Sequence, residues 1–480
     1  MSLRCFFVFV AVFFYWTPLH SVCASDLFDL FMSPSDEARI GQEEHPKILA
    51  EFGGEYADPK IVAYVNSIGQ FLLQTSETPK ARFTFTVLNS PVVNAFALPG
   101  GYVYVTRGLL ALAGSEAELA GVIAHEVGHV TARHSANRAG NSILANLGLT
   151  VLGIVTGNEI VSKVGQLGAF AVLQSHSRED EFEADQRGVR YLMRAGFDPH
   201  AMSSFLRKLQ AHSHLEANIQ GVSPNEGFDF FATHPRTSER VKRAIQLASD
   251  GKVQRPIVGR DVYFTKIDGL LFGNDESQGF IQDQRFVHPI LRFEFMVPKG
   301  FNILNGQRSV VAKGPNGSTL QFDFAERSKR SIERYLRDDW ARGKGLSDVE
   351  ILTIGGMPSA TAVLHPSGGR GDVTIRLVAI GFDSRTVYRF IFVTPRRLSK
   401  EERRTIEHTA LTFRRLNEIE ARSTTPQRLG FHRVVAEDTP ETISKRMAVA
   451  SFKLERFRTL NGLSLKQDLT VGERVKVVLK

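Results

Sequence analysis

The sequence predicts an α+β fold in three parts: a mainly helical domain carrying a small sheet, a smaller α+β domain, and a βααβ module at the end. Three observations carry this reading. Apolar residues return at helical spacing over most of residues 35 to 250, interrupted by only a few alternating runs. From residue 262 the pattern changes to short alternating runs divided by Gly and Pro turns. Two polar breaks, DGKVQRPIVGR around residue 255 and EIEARSTTPQR around residue 423, separate the parts. The expected units are a leader at 1–24, a first domain at 25–250, a second at 262–418 and a module at 430–480.

The leader comes first. Arg4, an apolar run from Phe6 to Trp16, and Val22-Cys23-Ala24 ahead of Ser25 have the layout of a secretory signal cut after Ala24. The run is too short to span a bilayer as a helix. Export would place the chain in the periplasm or cell envelope. Both cysteines, Cys5 and Cys23, fall inside this segment, so a chain beginning at Ser25 has no disulfide and no thiolate for a metal or a nucleophile. Any metal must be held by histidines and carboxylates. The formal charge of +8 suits anionic lipid or wall polymer. With export, peptidoglycan and peripheral membrane contact are the expected partners of that charge, and nucleic acid is not.

In the first domain, Asp58-Pro59 caps a helix whose Ile61, Val62, Val65, Ile68, Phe71 and Leu72 keep a 3.6-residue period. RFTFTVLN alternates as a strand, and VVNAFALPGGYVYVTRG reads as two strands joined at Pro99-Gly100-Gly101. Ser115 and Glu118 are spaced as a capping box and open the next helix. The apolar stretch from Asn141 to Leu173 favours a helix packed on protein over a span. Helices follow at about Arg178 to Arg194, Ala201 to Ala211 and after Pro235. The second domain shows five alternating runs with helices around Ser331 to Arg342 and Ser399 to Leu411.

The chemistry concentrates in GVIAHEVGHV, residues 121 to 130, where His125, Glu126 and His129 form H-E-x-x-H. Four residues apart on a helix, two imidazoles lie on one face and reach one small cation. The neighbouring carboxylate of Glu126 hangs beside them, where it can take a proton from water instead of binding the metal. A catalytic zinc takes three protein ligands and leaves one position open. Without cysteine, the third ligand is His, Glu or Asp on another element. Glu179, Asp180, Glu181, Glu183 and Asp185 all lie on one acidic helix, and an acidic face by itself is usually only solvated. His45, His134 and His176 have no assigned role at this level.

HEVGH, then E-x-x-x-D, then His-Pro, in this order, resembles the HExxH zinc endopeptidases that include the CAAX prenyl proteases, HtpX, Oma and BepA. The resemblance covers roughly residues 35 to 250. It implies a zincin-type domain with one Zn²⁺ per chain, His125, His129 and Glu181 as ligands, and Asp185 supporting a ligand histidine. Glu183 is the competing choice for the ligand, but projects toward the opposite side of the helix. The resemblance also matches Asn94-Ala95-Phe96 to a substrate-side strand and His234-Pro235 to a late motif whose histidine donates to the oxyanion. The multiple membrane spans of HtpX and the prenyl proteases have no counterpart here, which points away from a membrane-embedded substrate. The implied activity is zinc-dependent cleavage of extended protein or peptide substrates in the envelope, misfolded or misassembled proteins among them. A zinc-bearing chaperone or wall-bound scaffold, or a peptidoglycan hydrolase, is the alternative. The last 50 residues, with Asp438-Thr439, Ile443, Leu460-Asn461-Gly462 and Val471-Gly472, resemble a LysM wall-binding module.

Overall fold

In the computed structural model the described residues are 33–134, 176–220, 234, 238–251, 253–306, 309–314, 317–327, 330–365 and 373–480. The expected leader and the apolar stretch 141 to 173 lie outside them. Among the described residues no helix is long and apolar enough to cross a membrane.

The first domain is helical around one small sheet. Helix α1 spans Pro34–Glu51 and α2 spans Pro59–Leu73; the Asp58 side chain accepts from the amides of Lys60 and Ile61, which fixes where α2 begins. Strands β1 (Thr84–Leu88), β2 (Ala95–Leu98) and β3 (Tyr102–Thr106) order as β1-β3-β2, with β1 parallel and β2 antiparallel to β3. The β2-β3 hairpin turns through Gly100 and Gly101, both at φ of 80° or more, where any Cβ on Gly101 would lie 2.3 Å from the Arg82 carbonyl. Helices α3 (Arg107–Leu112), α4 (Glu116–Thr131), α5 (Arg178–Arg194), α6 (His200–Gln220) and α7 (Ser238–Asp250) complete this part. The helix expected from Ala201, α6, runs well past the expected Ala211.

The capping box at the head of α4 forms only by half. Ser115 Oγ accepts from the Glu118 amide at 3.1 Å, but the Glu118 carboxylate turns to the Gly114 amide and to Lys208 Nζ, at 2.7 and 2.9 Å. A buried carboxylate with a cation in reach takes the charged partner first.

The polar break after residue 250 is not an open tether. Val258 and Gly259 present their carbonyls to the first amides of α4, at 3.1 Å to Ala117 and 3.5 Å to Glu116. Helix α8 (Arg260–Lys266) then buries Tyr263 and Phe264 in the core that contains Val65, Leu72, Leu119 and Ile123.

The second domain has a seven-stranded antiparallel sheet, β11 (Gly345–Ile354), β12 (Met357–His365), β13 (Val373–Gly381), β14 (Thr386–Pro395), β10 (Thr319–Glu326), β9 (Ser309–Lys313) and β8 (Asn302–Asn305) in spatial order. Beside it stand β5 (Phe280–Gln282), β6 (Arg285–His288), β7 (Phe293–Met296) and the two-residue β15 (Arg414–Arg415). The helix expected from Ser331 is a single α turn, α9 (Ile332–Arg334), running into a π-helical turn at Tyr335–Trp340. That expected at Ser399 is α10 (Lys400–Leu411), with Ser399 as its cap. A short α11 (Glu418–Ser423) leads out.

The end of the chain is β16 (Gln427–Arg433), α12 (Pro440–Lys445), α13 (Lys453–Asn461) and β17 (Arg474–Leu479), a βααβ order with β16 and β17 antiparallel. It docks on the first domain. Strand β4 (Leu271–Phe272) joins its sheet through β16, and the fully buried Lys476 Nζ donates to the carbonyls of Ala111, Leu112 and Ala113 at 2.8 to 2.9 Å. Those carbonyls close α3, and Lys476 supplies the donors that a helix end leaves wanting, although burial holds its amine well below the usual lysine range.

Candidate metal centre

Two helices make the centre, and two glycines let them meet. A Cβ on Gly128 of α4 would lie 3.0 Å from the Ala184 carbonyl, and one on Gly188 of α5 would lie 3.1 Å from the His125 amide nitrogen. Without side chains at these two points the backbones approach closely enough for short carboxylates of α5 to reach the imidazoles of α4. His125 Nε2 and His129 Nε2 stand 3.0 Å apart. Glu181 brings Oε1 to 3.3 Å from His129 Nε2 and Oε2 to 3.6 Å from His125 Nε2. His234 adds Nδ1 at 3.0 Å from Glu181 Oε1 and 3.4 Å from His125 Nε2. One ligand atom from each of the four residues lies within 4.8 Å of the others, and all four side chains are buried.

These spacings fit a cation. Ligands about 2.0 to 2.1 Å from a tetrahedral ion lie about 3.4 Å from one another. The His125–His129, His129–Glu181 and His125–Glu181 separations bracket that value. Three imidazoles with one carboxylate suit a transition metal; magnesium and calcium take oxygen cages.

The surroundings fix charges and tautomers. Asp185 Oδ1 lies 2.9 Å from His125 Nδ1, so that nitrogen carries the proton and Nε2 turns its lone pair inward. Asp185 is in turn held by Arg240, with Nε to Oδ2 and Nη2 to Oδ1 both 2.8 Å, while Arg240 Nη1 contacts Glu181 Oε2. Burial alone would raise both carboxyls, but His234 and Arg240 beside Glu181, and Arg240 beside Asp185, outweigh it and hold both below the usual range. Glu126 differs. Burial, opposed by His234 and His125, pushes its carboxyl up from the ordinary range, and neither oxygen accepts a hydrogen bond among the described residues. Its Oε1 lies 3.5 Å from His234 Nε2.

The structure thus brings together His125, Glu126, His129, Glu181, Asp185 and His234. Glu183, the competing choice, points outward to Arg187 and His134, and its side chain is 45% exposed. Asn94 is buried with Oδ1 unpartnered, and Ala95 and Phe96 lie on β2, the edge strand packed beside α4. The Phe96 ring stacks on Tyr104 at 4.9 Å, so it serves the core, and only its backbone faces outward as a pairing edge. His45 Nδ1 is bonded to Tyr104 Oη at 2.8 Å. Sequence reasoning passed over Arg240. Its signal was spacing: Arg240, Ala244 and Ala248 share one buried stripe of α7, and a cation on an apolar stripe needs a carboxylate opposite.

Residues 59–248 match Peptidase family M48. The chain is 32% identical over 267 residues to the beta-barrel assembly-enhancing protease of Escherichia coli O157:H7, covering 52% of each. It is 32% identical over 231 residues to the protein of that name from Yersinia pestis, covering 46% of each. To the mitochondrial metalloendopeptidase OMA1 of Schizosaccharomyces pombe it is 27% identical over 222 residues, covering 46% of this chain and 63% of that one. The chain spans about half the length of the assembly-enhancing proteases it matches.

Proposed function

We propose that this chain, whose residues 59–248 form a peptidase family M48 domain, is a zinc-dependent metalloendopeptidase of the cell envelope acting on extended stretches of misfolded or misassembled proteins. The observation that carries the reading is Glu126: a buried carboxyl, raised by burial and accepting no hydrogen bond among the described residues, beside two histidines and a glutamate spaced for one cation. A protein that only stored or sensed a metal would have no use for such a base.

His125, His129 and Glu181 would hold Zn²⁺, which when bound polarises a carbonyl and makes water acidic near neutrality. Glu126 takes the proton of the attacking water and returns it to the leaving amine, and the upward shift that burial gives its carboxyl favours the first transfer. His234 is the proposed donor to the developing oxyanion. Asp185 and Arg240 hold His125 and Glu181 in place. The edge of β2, unpaired among the described residues, offers backbone groups to a substrate strand, which accommodates many sequences. The names of the bacterial relatives support an envelope location, as does the expected leader. Residues 430 to 480 are proposed to contact peptidoglycan.

The test is cleavage of unfolded casein, with isolated sacculi as the other substrate, by wild type and Glu126→Gln. Wild type should hold about one zinc per chain and cut casein alone, and Glu126→Gln should keep the zinc and lose cleavage by roughly 10² to 10⁴ or more. Zinc lost from Glu126→Gln would make Glu126 a ligand. Sacculi cut in preference to casein would favour the glycan hydrolase.

A further inference from the structure

We infer that His134 is the positioning residue of His129, the last member of a relay that runs from the protein surface to the metal centre. This rests on the reading of His125, His129 and Glu181 as ligands. The two ligand histidines are not backed alike. His125 leans directly on Asp185, whereas His129 Nδ1 faces another imidazole, His134 Nδ1, at 2.9 Å.

The tautomers follow in sequence. His129 turns Nε2 inward, so its proton sits on Nδ1 and is donated to His134 Nδ1. His134 must then accept at Nδ1 and carry its own proton on Nε2, which lies 3.2 Å from Glu183 Oε2. Glu183 is fixed from outside by Arg187, whose Nε and Nη2 lie 2.9 and 2.7 Å from Oε1. The line thus runs from the Arg187–Glu183 ion pair through His134 to His129, with Asp180 Oδ1 also 3.6 Å from His134 Nε2. His134 is itself buried.

The chain is bent to make this contact. Arg133, the residue before His134, has φ of 58°, a left-handed conformation that residues with a Cβ seldom adopt. Arg133 Nε donates to the buried Glu37 of α1 at 2.7 Å, so a distant helix holds the turn that folds His134 back under His129. Strain held in place by a second element is found where a position matters. His129, His134 and His176 could also be grouped as ligands of a second ion. An ion at Nδ1 would take from His129 the one proton it carries, while 2.9 Å is the length of an ordinary hydrogen bond.

The experiment uses the full chain as wild type, His134→Ala, His134→Asn and Glu183→Ala. Zinc affinity is read by competition with a chromophoric chelator, and ligand geometry by the visible bands of the cobalt-substituted protein. His134→Ala should weaken zinc by about 10- to 100-fold and move the cobalt bands. His134→Asn, whose side-chain oxygen stands near the place of Nδ1, should recover most of both. Glu183→Ala should fall between. Should His134→Ala fail to fold by circular dichroism, the order wild type, His134→Asn, Glu183→Ala carries the same test. Wild-type affinity and bands in the variants overturn the relay alone. Two zinc ions per chain, with one lost in His134→Ala, overturn it in favour of a second ion. A wild type that takes up no zinc or cobalt overturns the centre itself, and the relay with it.

Discussion

Around α4 the chain buries His125, Glu126, His129, Glu181, Asp185 and Arg240, whereas at the same depth in the second domain it buries Phe286, Phe293, Phe295, Phe322, Phe390 and Phe413. The rings of the second domain meet at ordinary aromatic distances, Phe322 lying 4.7 Å from Phe295 and 4.8 Å from Phe390. Each such ring gains from leaving water on its own account, whatever its neighbours. The charged groups set into the apolar core around α4 gain only through their partners, because a buried charge without one is costly. The aromatic core is stable by composition, and the charged cluster by completeness. A site of preformed charges is therefore most sensitive to the loss of a single member, and the proposed cation would be one of its members.

A pair of substitutions probes this contrast most strongly. Arg240→Met leaves Asp185 and Glu181 buried without their cation and should cost about 3 to 5 kcal/mol in chelator, much of it recovered when zinc supplies the missing positive charge. Phe322→Ala should cost about the same, about 3 to 5 kcal/mol, by opening a cavity, with no dependence on metal. Thermal unfolding with and without zinc measures both. Equal metal dependence in the two variants would show that the cores are not independent.

Lys476→Met tests whether the terminal module belongs to the first core. It leaves the carbonyls of Ala111, Leu112 and Ala113 without their donor, for an expected loss of about 1 to 3 kcal/mol. Trp340 lies in the second domain, and Trp16 lies in the expected leader. The transition followed by far-ultraviolet dichroism should move down while that followed by tryptophan fluorescence stays in place. Movement of both would join the two domains into one cooperative unit.

The smallest effect comes from His288, which is set against the aromatic core. Burial pushes His288 down to about 4, and its Nδ1 accepts from the Leu291 amide at 3.2 Å. The unfolded chain takes up the proton near pH 6.5, which the folded domain refuses until near pH 4. Stability is therefore complete above pH 6.5 and is lost as the pH falls toward 4, by on the order of 1 to 2 kcal/mol after solvent screening. His288→Gln should flatten that slope in Trp340 fluorescence melts, and an unchanged slope would assign it to other groups.

Features written in neighbouring residues were legible in the sequence. Asp58-Pro59, the Pro99-Gly100-Gly101 turn and the limits of α5 at Arg178 and Arg194 all follow from local spacing. His125, Glu126 and His129 were legible because four residues span one helical turn. Glu181 and Asp185 became specific only through the family resemblance, since acidic residues on a helix carry no distance to another helix. Arg240, 55 positions from Asp185, needed that distance, and so did His134, which only the left-handed turn at Arg133 brings onto His129. Lys476 was the least legible. Set among Val475, Val477 and Val478, it reads as a solvent-facing position of an alternating strand, and it points instead into the end of α3.

That lysine also imposes an order in time. Ala111, Leu112 and Ala113 precede the HExxH helix, while their donor lies 363 to 365 positions later. A chain made from its N-terminus has His125, Glu126 and His129 long before it has the side chain that meets the turn ahead of their helix. Until Lys476 is in place, the carbonyls of Ala111, Leu112 and Ala113 lack the donor that closes the end of α3.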